Sequence, residues 1–130
     1  MITARELGAG YRNSFGNGRI EARGDMPADK GGDGDGFRPH ELLEAALATC
    51  MSMTVRIAAE KHGYPLSHVE VTVSLDRSVA DDFAFDYQLA LSGDLTDVQR
   101  AHLARAAAQC PVSKTIGARP RLRATRPATV

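Results

Sequence analysis

Between Pro39 and Lys61 the chain reads as one long helix with hardly a polar side. Pro39 suits a first helical turn, where its missing N–H is no loss. Gly63 is a natural stop, and Lys61 and His62 lie at the negative end of the helix dipole. On a helical wheel Leu42, Leu43, Leu47, Cys50, Met51, Met53, Val55 and Ile57 sweep a broad apolar arc, with Cys50 near its middle. The narrow strip opposite holds Ala45, Ala48, Ser52 and Ala59, flanked by Thr49 and Arg56. Small residues there let another backbone approach closely. A helix this apolar has to be covered on more than one side. One antiparallel sheet covers a single face, so the rest falls most easily to a second copy of the chain, and a homodimer is expected.

The elements around this helix follow from local signals. Asn17-Gly18 is a strong hairpin signal, because a type I′ turn needs positive φ at both central residues; it would join Tyr11–Phe15 to Arg19–Arg23. Ile2–Leu7 reads as a further strand. Residues 27–36 are rich in Gly and Asp and read as a loop. Val69, Val71, Val73 and Leu75 alternate with polar residues, as do Phe83, Phe85, Tyr87, Leu89 and Leu91, which predicts two half-buried strands joined by a hairpin loop. Thr96-Asp97-Val98-Gln99 is a capping box opening a second helix that runs to about Gln109. Pro111 ends it and starts a further turn through Gly117, and Arg121–Thr125 reads as a last edge strand. Strands joined by hairpins, with no alternating βαβ units, predict an α+β fold with a mainly antiparallel sheet, in a single domain over residues 1–130.

Composition narrows the function classes. The 130 residues carry 16 basic and 16 acidic side chains, which disfavours a nucleic-acid binder as a reading of the whole domain. Apolar residues never run unbroken for the length of a membrane span, and the N-terminus lacks a basic stretch followed by an apolar one. No membrane association is expected, and the cytoplasm is the expected compartment. The glycine-rich loop has no Gly-Lys-Ser/Thr to cradle a phosphate and no terminal glutamate to bind calcium. His40, His62, His68 and His102 lack paired ligand spacing. Neither a metal nor a cofactor is expected.

The two cysteines then carry the question. Cys50 reads either as a small core hydrophobe or as a reactive thiol. Leu103, Ala106, Ala107 and Cys110 form the apolar stripe of the second helix, so Cys110 also points inward. It precedes Pro111, where a new helical turn begins and free N–H groups are at hand. A close pair of thiols in a reducing compartment serves catalysis or redox sensing more often than structure.

Pro39-His-Glu-Leu-Leu-Glu-Ala-Ala-Leu-Ala-Thr-Cys50-Met-Ser-Met, taken with Cys110-Pro-Val-Ser-Lys, resembles the OsmC/Ohr family of osmotically inducible and organic-hydroperoxide-resistance proteins. The resemblance extends over nearly the whole chain. It implies an intertwined α+β homodimer, with antiparallel sheets wrapped around two long central helices. It also implies a thiol-dependent peroxidase acting on organic hydroperoxides, with Cys50 as the peroxidatic cysteine, Cys110 as the resolving one and a lipoyl-type dithiol as reductant. The family's site arginine comes from the N-terminal hairpin, where Arg12 is the best match and Arg23 the reserve. Members with strong activity carry a glutamate directly after the helix-opening proline to hold that arginine. Here His40 stands in its place, and Glu41, the next residue, is the candidate to substitute for it, although it lies on the opposite side of an ideal helix from Cys50 and would need the other subunit or a distorted first turn. His40 favours a second expectation, a redox-sensing or small-ligand-binding dimer with little peroxidase turnover. A third leaves both cysteines inert in the core.

Overall fold

A computed structural model describes residues 1–126. In chain order the elements are β1 (Thr3–Glu6), β2 (Asn13–Gly16), β3 (Glu21–Gly24), a single 3-10 turn (Ala28–Lys30), α1 (Pro39–His62), β4 (Leu66–Asp76), β5 (Ala84–Gly93), α2 (Asp97–Ala108) and α3 (Pro111–Gly117). The fold is α+β, and its contacts gather into two compact units. Three long elements, α1, β4 and β5, run from one unit into the other.

The first unit holds Met1–Ala46 and Ser74–Asp86. Its sheet has the order β1-β2-β3, antiparallel throughout, with Phe15 of the middle strand opposite Ala4 on one side and Ala22 on the other. The hairpin between β2 and β3 is wider than the two-residue turn expected from Asn-Gly. Asn17 folds its side chain back instead, so that Oδ1 accepts the N–H groups of Arg19 and Ile20, both at 2.9 Å. An Asx-type turn of this kind satisfies donors that a wider loop leaves open. Gly18 still takes the left-handed conformation, at φ 92°. After β3, the Phe37 N–H donates to Arg23 and its carbonyl accepts from Asp25, which pins both ends of the intervening loop. Within that loop the Gly32 backbone presses against the carbonyl of Met26, leaving no room for a side chain.

The second unit holds Leu47–Val73 and the chain from Tyr87 onward. Among the described residues, every buried apolar one lies here: Leu47, Met51, Val55 and Ala59 of α1, Leu66 of β4, Leu103 and Ala107 of α2, and Cys110. The α1 residues form a single i, i+4 row, narrower than the arc on the wheel and displaced from its middle. Ala59, expected on the opposite strip, belongs to this row, whereas Met53 and Ile57 are exposed. An i±4 ridge is what a helix offers to a groove in a neighbouring element. Gly63 ends α1 in the left-handed conformation, at φ 66°, and its N–H bonds back to Glu60. Arg56 reaches across to the carbonyls of Leu66 and Ser67, and Arg100 of α2 to those of Leu91 and Gly93.

β4 and β5 pair in a two-stranded sheet. Residues 77–83 are too few for a crossover, so the pairing is antiparallel. Val69, Val71 and Val73 alternate with exposed neighbours, as the sequence pattern predicts. The capping box at Thr96 forms with both of its hydrogen bonds.

One expectation is corrected. No strand forms at Arg121–Thr125. Arg119 turns to φ 52° and Pro120 lacks an N–H, so the chain loses the extended course and the donor that pairing needs. By length and composition α1 is also apolar enough to cross a membrane. The apolar run is not continuous, because Glu44, Thr49, Ser52 and Arg56 interrupt it. Glu44 accepts the Leu75 N–H at 2.9 Å and Arg56 donates to Leu66 at 2.8 Å, so two of those interruptions anchor the helix to a strand.

Candidate active site

Cys110 has no solvent exposure and sits at the N-cap of α3. Its φ and ψ of −63° and 155° place it just outside the helix, and its sulfur accepts the N–H of Ser113 at 3.4 Å. Pro111 at the first helical position makes the break: it fixes φ for a new helix and removes the N–H that would have continued α2. Ser113 holds the turn from the other side, its hydroxyl within 2.9 Å of the Ala108 carbonyl and 2.8 Å of the Cys110 carbonyl. The Cys-Pro-Val-Ser run thus sets a buried thiol at the start of a helix by local backbone chemistry alone.

Cys50 lies at mid-helix in α1, half-buried, in the same compact unit as Cys110. Both thiols are free. Cys50 shares its helix face with Leu43, Met53 and Ile57, whose exposures are 46%, 64% and 64%. By helix position and burial, Cys50 falls between the buried Leu47–Ala59 ridge and these exposed apolar residues.

Arg12 and Glu41 belong to the first unit, where each takes a different partner. Arg12 directs Nε toward Asp33, 3.9 Å away, and that nitrogen is buried with no hydrogen bond. Glu41 occupies the third position of α1 and reaches back to the N–H of Arg38 at 2.8 Å, with the Arg38 guanidinium at 3.4 Å. The backbone N–H of Arg38, with further help from its charge, holds the Glu41 carboxyl below the usual range. Glu41 is therefore a helix-start cap in this chain. The reserve arginine, Arg23, is bound to Asp35 at 2.9 Å. His40 is exposed.

Sequence reasoning passed over Asp25, although its carboxylate organises the loop beside Arg12. It is only 3% exposed, and it accepts the N–H groups of Met26 at 2.7 Å and of Asp33 and Asp35 at 3.1 Å. The Asp35 N–H lowers its carboxyl most, the Met26 and Asp33 N–H groups and the Arg12 charge add to this, and burial opposes them. An acid just ahead of a segment alternating Gly and Asp was the available signal, since such a backbone turns its N–H groups inward. Around the same sheet lies an apolar cavity of about 440 Å³, lined by Ile2, Tyr11, Phe15, Phe37 and Leu42 among others.

A family model described as OsmC-like protein matches residues 32–125. Among solved structures, the chain is similar to an organic hydroperoxide resistance protein OsmC of Legionella pneumophila, at 26% identity and a TM-score of 0.65, covering 89% of this chain and 87% of that one. It is likewise similar to the organic hydroperoxide resistance protein OhrB of Bacillus subtilis, at 27% identity and a TM-score of 0.59, covering 88% and 87%. An OsmC-like protein of Mycoplasma pneumoniae shares the fold at a TM-score of 0.76 and 17% identity, covering 90% and 86%. No curated protein is similar enough in sequence to count as a relative. With the family model spanning the cysteine helix, the strand pair and the Cys-Pro turn, the chain belongs to the OsmC/Ohr family.

Proposed function

We propose that the protein is a homodimeric thiol peroxidase that reduces organic hydroperoxides through Cys50 and Cys110. The Cys50 thiolate attacks the distal peroxide oxygen. The O–O bond breaks, the alkoxide takes up a proton and leaves as the alcohol, and Cys50 is oxidised to a sulfenic acid. The Cys110 thiol then attacks that sulfur, water departs and a disulfide forms, which keeps Cys50 from irreversible over-oxidation. A dithiol of the lipoyl type reduces the disulfide by exchange and is itself oxidised. Arg12, supplied by the N-terminal hairpin, would polarise the peroxide, and Glu41 is the acid nearest in sequence that could hold it. Apolar walls suit an alkyl hydroperoxide better than hydrogen peroxide. A reducing compartment such as the cytoplasm would keep both thiols ready.

The observation that carries this reading is the pair of free thiols in one compact unit, one buried at a helix start and the other at the edge of an uncovered apolar face. Relatives at 26% and 27% identity are named for organic hydroperoxide resistance. A second reading, a redox-sensing or small-ligand-binding dimer with little turnover, is favoured by a different observation. Arg12 is turned toward Asp33 and Glu41 toward Arg38, so the arginine and its candidate acid hold separate partners.

The test treats reduced protein with one equivalent of an organic hydroperoxide and reads free thiols and intact mass. Loss of both thiols with a gain of one disulfide is expected. Cys50→Ser should abolish the reaction, and Cys110→Ser should stop Cys50 at the sulfenic acid with one equivalent and carry it to the sulfinic acid when a second is added. Serine is a favoured helix N-cap, so the second variant keeps α3 and isolates the chemistry. Thiols that survive the peroxide would sink the peroxidase reading. A disulfide that forms over hours, not seconds, would move the assignment to the sensor.

A further inference from the structure

The first unit contains a second cavity, of about 420 Å³, beside the start of α1. Its walls are of two kinds. Met26, Pro27 and Leu75 give an apolar floor, and Lys30, Arg38 and Arg77 bring three cations. Among the described residues, Glu44 is the one carboxylate on the walls, and one of its oxygens already accepts the Leu75 N–H at 2.9 Å. Glu41, next to the cavity, is engaged by the Arg38 backbone N–H and Nε, which leaves the outer guanidinium nitrogens of Arg38 to face elsewhere. Lys30 and Arg77 have no side-chain partner among the described residues. The thiol chemistry proposed above uses none of these cations.

Three cations against Glu44 and the neighbouring Glu41 leave a surplus of a single positive charge. Such a surplus matches a monoanion; a doubly charged phosphate would be opposed by Glu44. Two arginine forks suit a carboxylate, which they can grip through two parallel hydrogen bonds. The volume is that of a small-molecule site, and the apolar floor would take a short hydrocarbon body. We propose that this cavity binds a small amphiphilic carboxylate, its head on Arg38, Arg77 and Lys30 and its chain over Met26 and Leu75.

Isothermal titration of the Cys50→Ser protein tests this, because that variant removes thiol chemistry and keeps the two proposals separable. Octanoate is the probe, with octanol and octyl phosphate as contrasts. Octanoate is expected to bind saturably, with octanol weaker by about tenfold or more for want of a charge-assisted contact, and octyl phosphate weaker by a similar factor through repulsion from Glu44. Arg77→Ala and Lys30→Ala should each weaken octanoate about tenfold. Both side chains lack partners in the fold, so circular dichroism should stay unchanged. Equal binding of octanol would reduce the site to an apolar cleft, and octyl phosphate binding more tightly would make it a phosphate site. Either outcome overturns the proposal, as does octanoate heat that never saturates or that both variants leave intact.

Discussion

Asp25 shows how far one side chain can organise a segment that looks formless in sequence. Its partners, Asp33 and Asp35, lie eight and ten residues onward, beyond the reach of any local pattern. Cys110 was legible for the opposite reason. Everything that positions it, from Ala108 to Ser113, lies within one turn of chain. The Asp25 carboxyl is held below its ordinary value of 3.8 in the folded chain. A lowered carboxylate contributes stability that is fully present above the unfolded value and is lost as the pH falls through the folded one. Asp25→Asn should therefore lower the melting temperature by several degrees near neutral pH. The gap to the parent chain should close progressively below about pH 4, since the parent then loses the same charge. A thermal melt series from neutral to acid checks both halves. A gap that persists unchanged at low pH would mean that shape, and not charge, holds the loop.

At the scale of elements, the sequence signals that worked were those acting within a few residues. Pro39 and Gly63 bracket α1, and Thr96 with Gln99 opens α2, because caps are satisfied locally. The strand expected at Arg121–Thr125 failed because alternation of arginines is a pattern of side chains, whereas pairing needs a partner strand and an available N–H. The Asn17-Gly18 hairpin was found in the right place with the wrong turn, since Asn17 could serve the wider loop equally well. The α2 cap gives a clean measure of how much such local chemistry contributes. Thr96 accepts the Gln99 N–H at 3.1 Å and the Gln99 side chain accepts the Thr96 N–H at 3.0 Å. Thr96→Ala removes the first bond and should destabilise the fold by about 0.5–2 kcal/mol. Urea unfolding should show a lower midpoint with an unchanged slope. A change in slope would mean that α2 unfolds apart from the rest.

For the whole molecule, the distribution of buried surface bears on the proposed homodimer. All of the buried apolar side chains lie in the second unit, and the first buries only Asp25 among the described residues. Ile2, Tyr11, Phe37 and Phe83 of the first unit are each more than half exposed. Along α1, Leu43, Cys50 and Ile57 repeat at intervals of seven with Met53 between them, which is the seam by which helices pair. The wheel showed that α1 needs cover on more than one side. It could not show which side the chain covers for itself, because burial of the Leu47–Ala59 ridge is set by tertiary contacts that a wheel does not contain. What the chain leaves open is the face that bears Cys50, so assembly and the peroxide site would stand or fall together. Sedimentation should give twice the chain mass of 13.9 kDa. Ile57→Glu is the sharp test, because Ile57 is 64% exposed in the single chain. Its burial is worth roughly 1.5–3 kcal/mol per copy, so losing it twice should weaken the dimer at least about a hundredfold. The variant should sediment at the chain mass or melt at a lower, concentration-dependent temperature. Ile57→Leu should restore the pair. If the parent chain itself sediments as a stable monomer, its exposed apolar face must be answered by another partner, and the site would have to work within one chain.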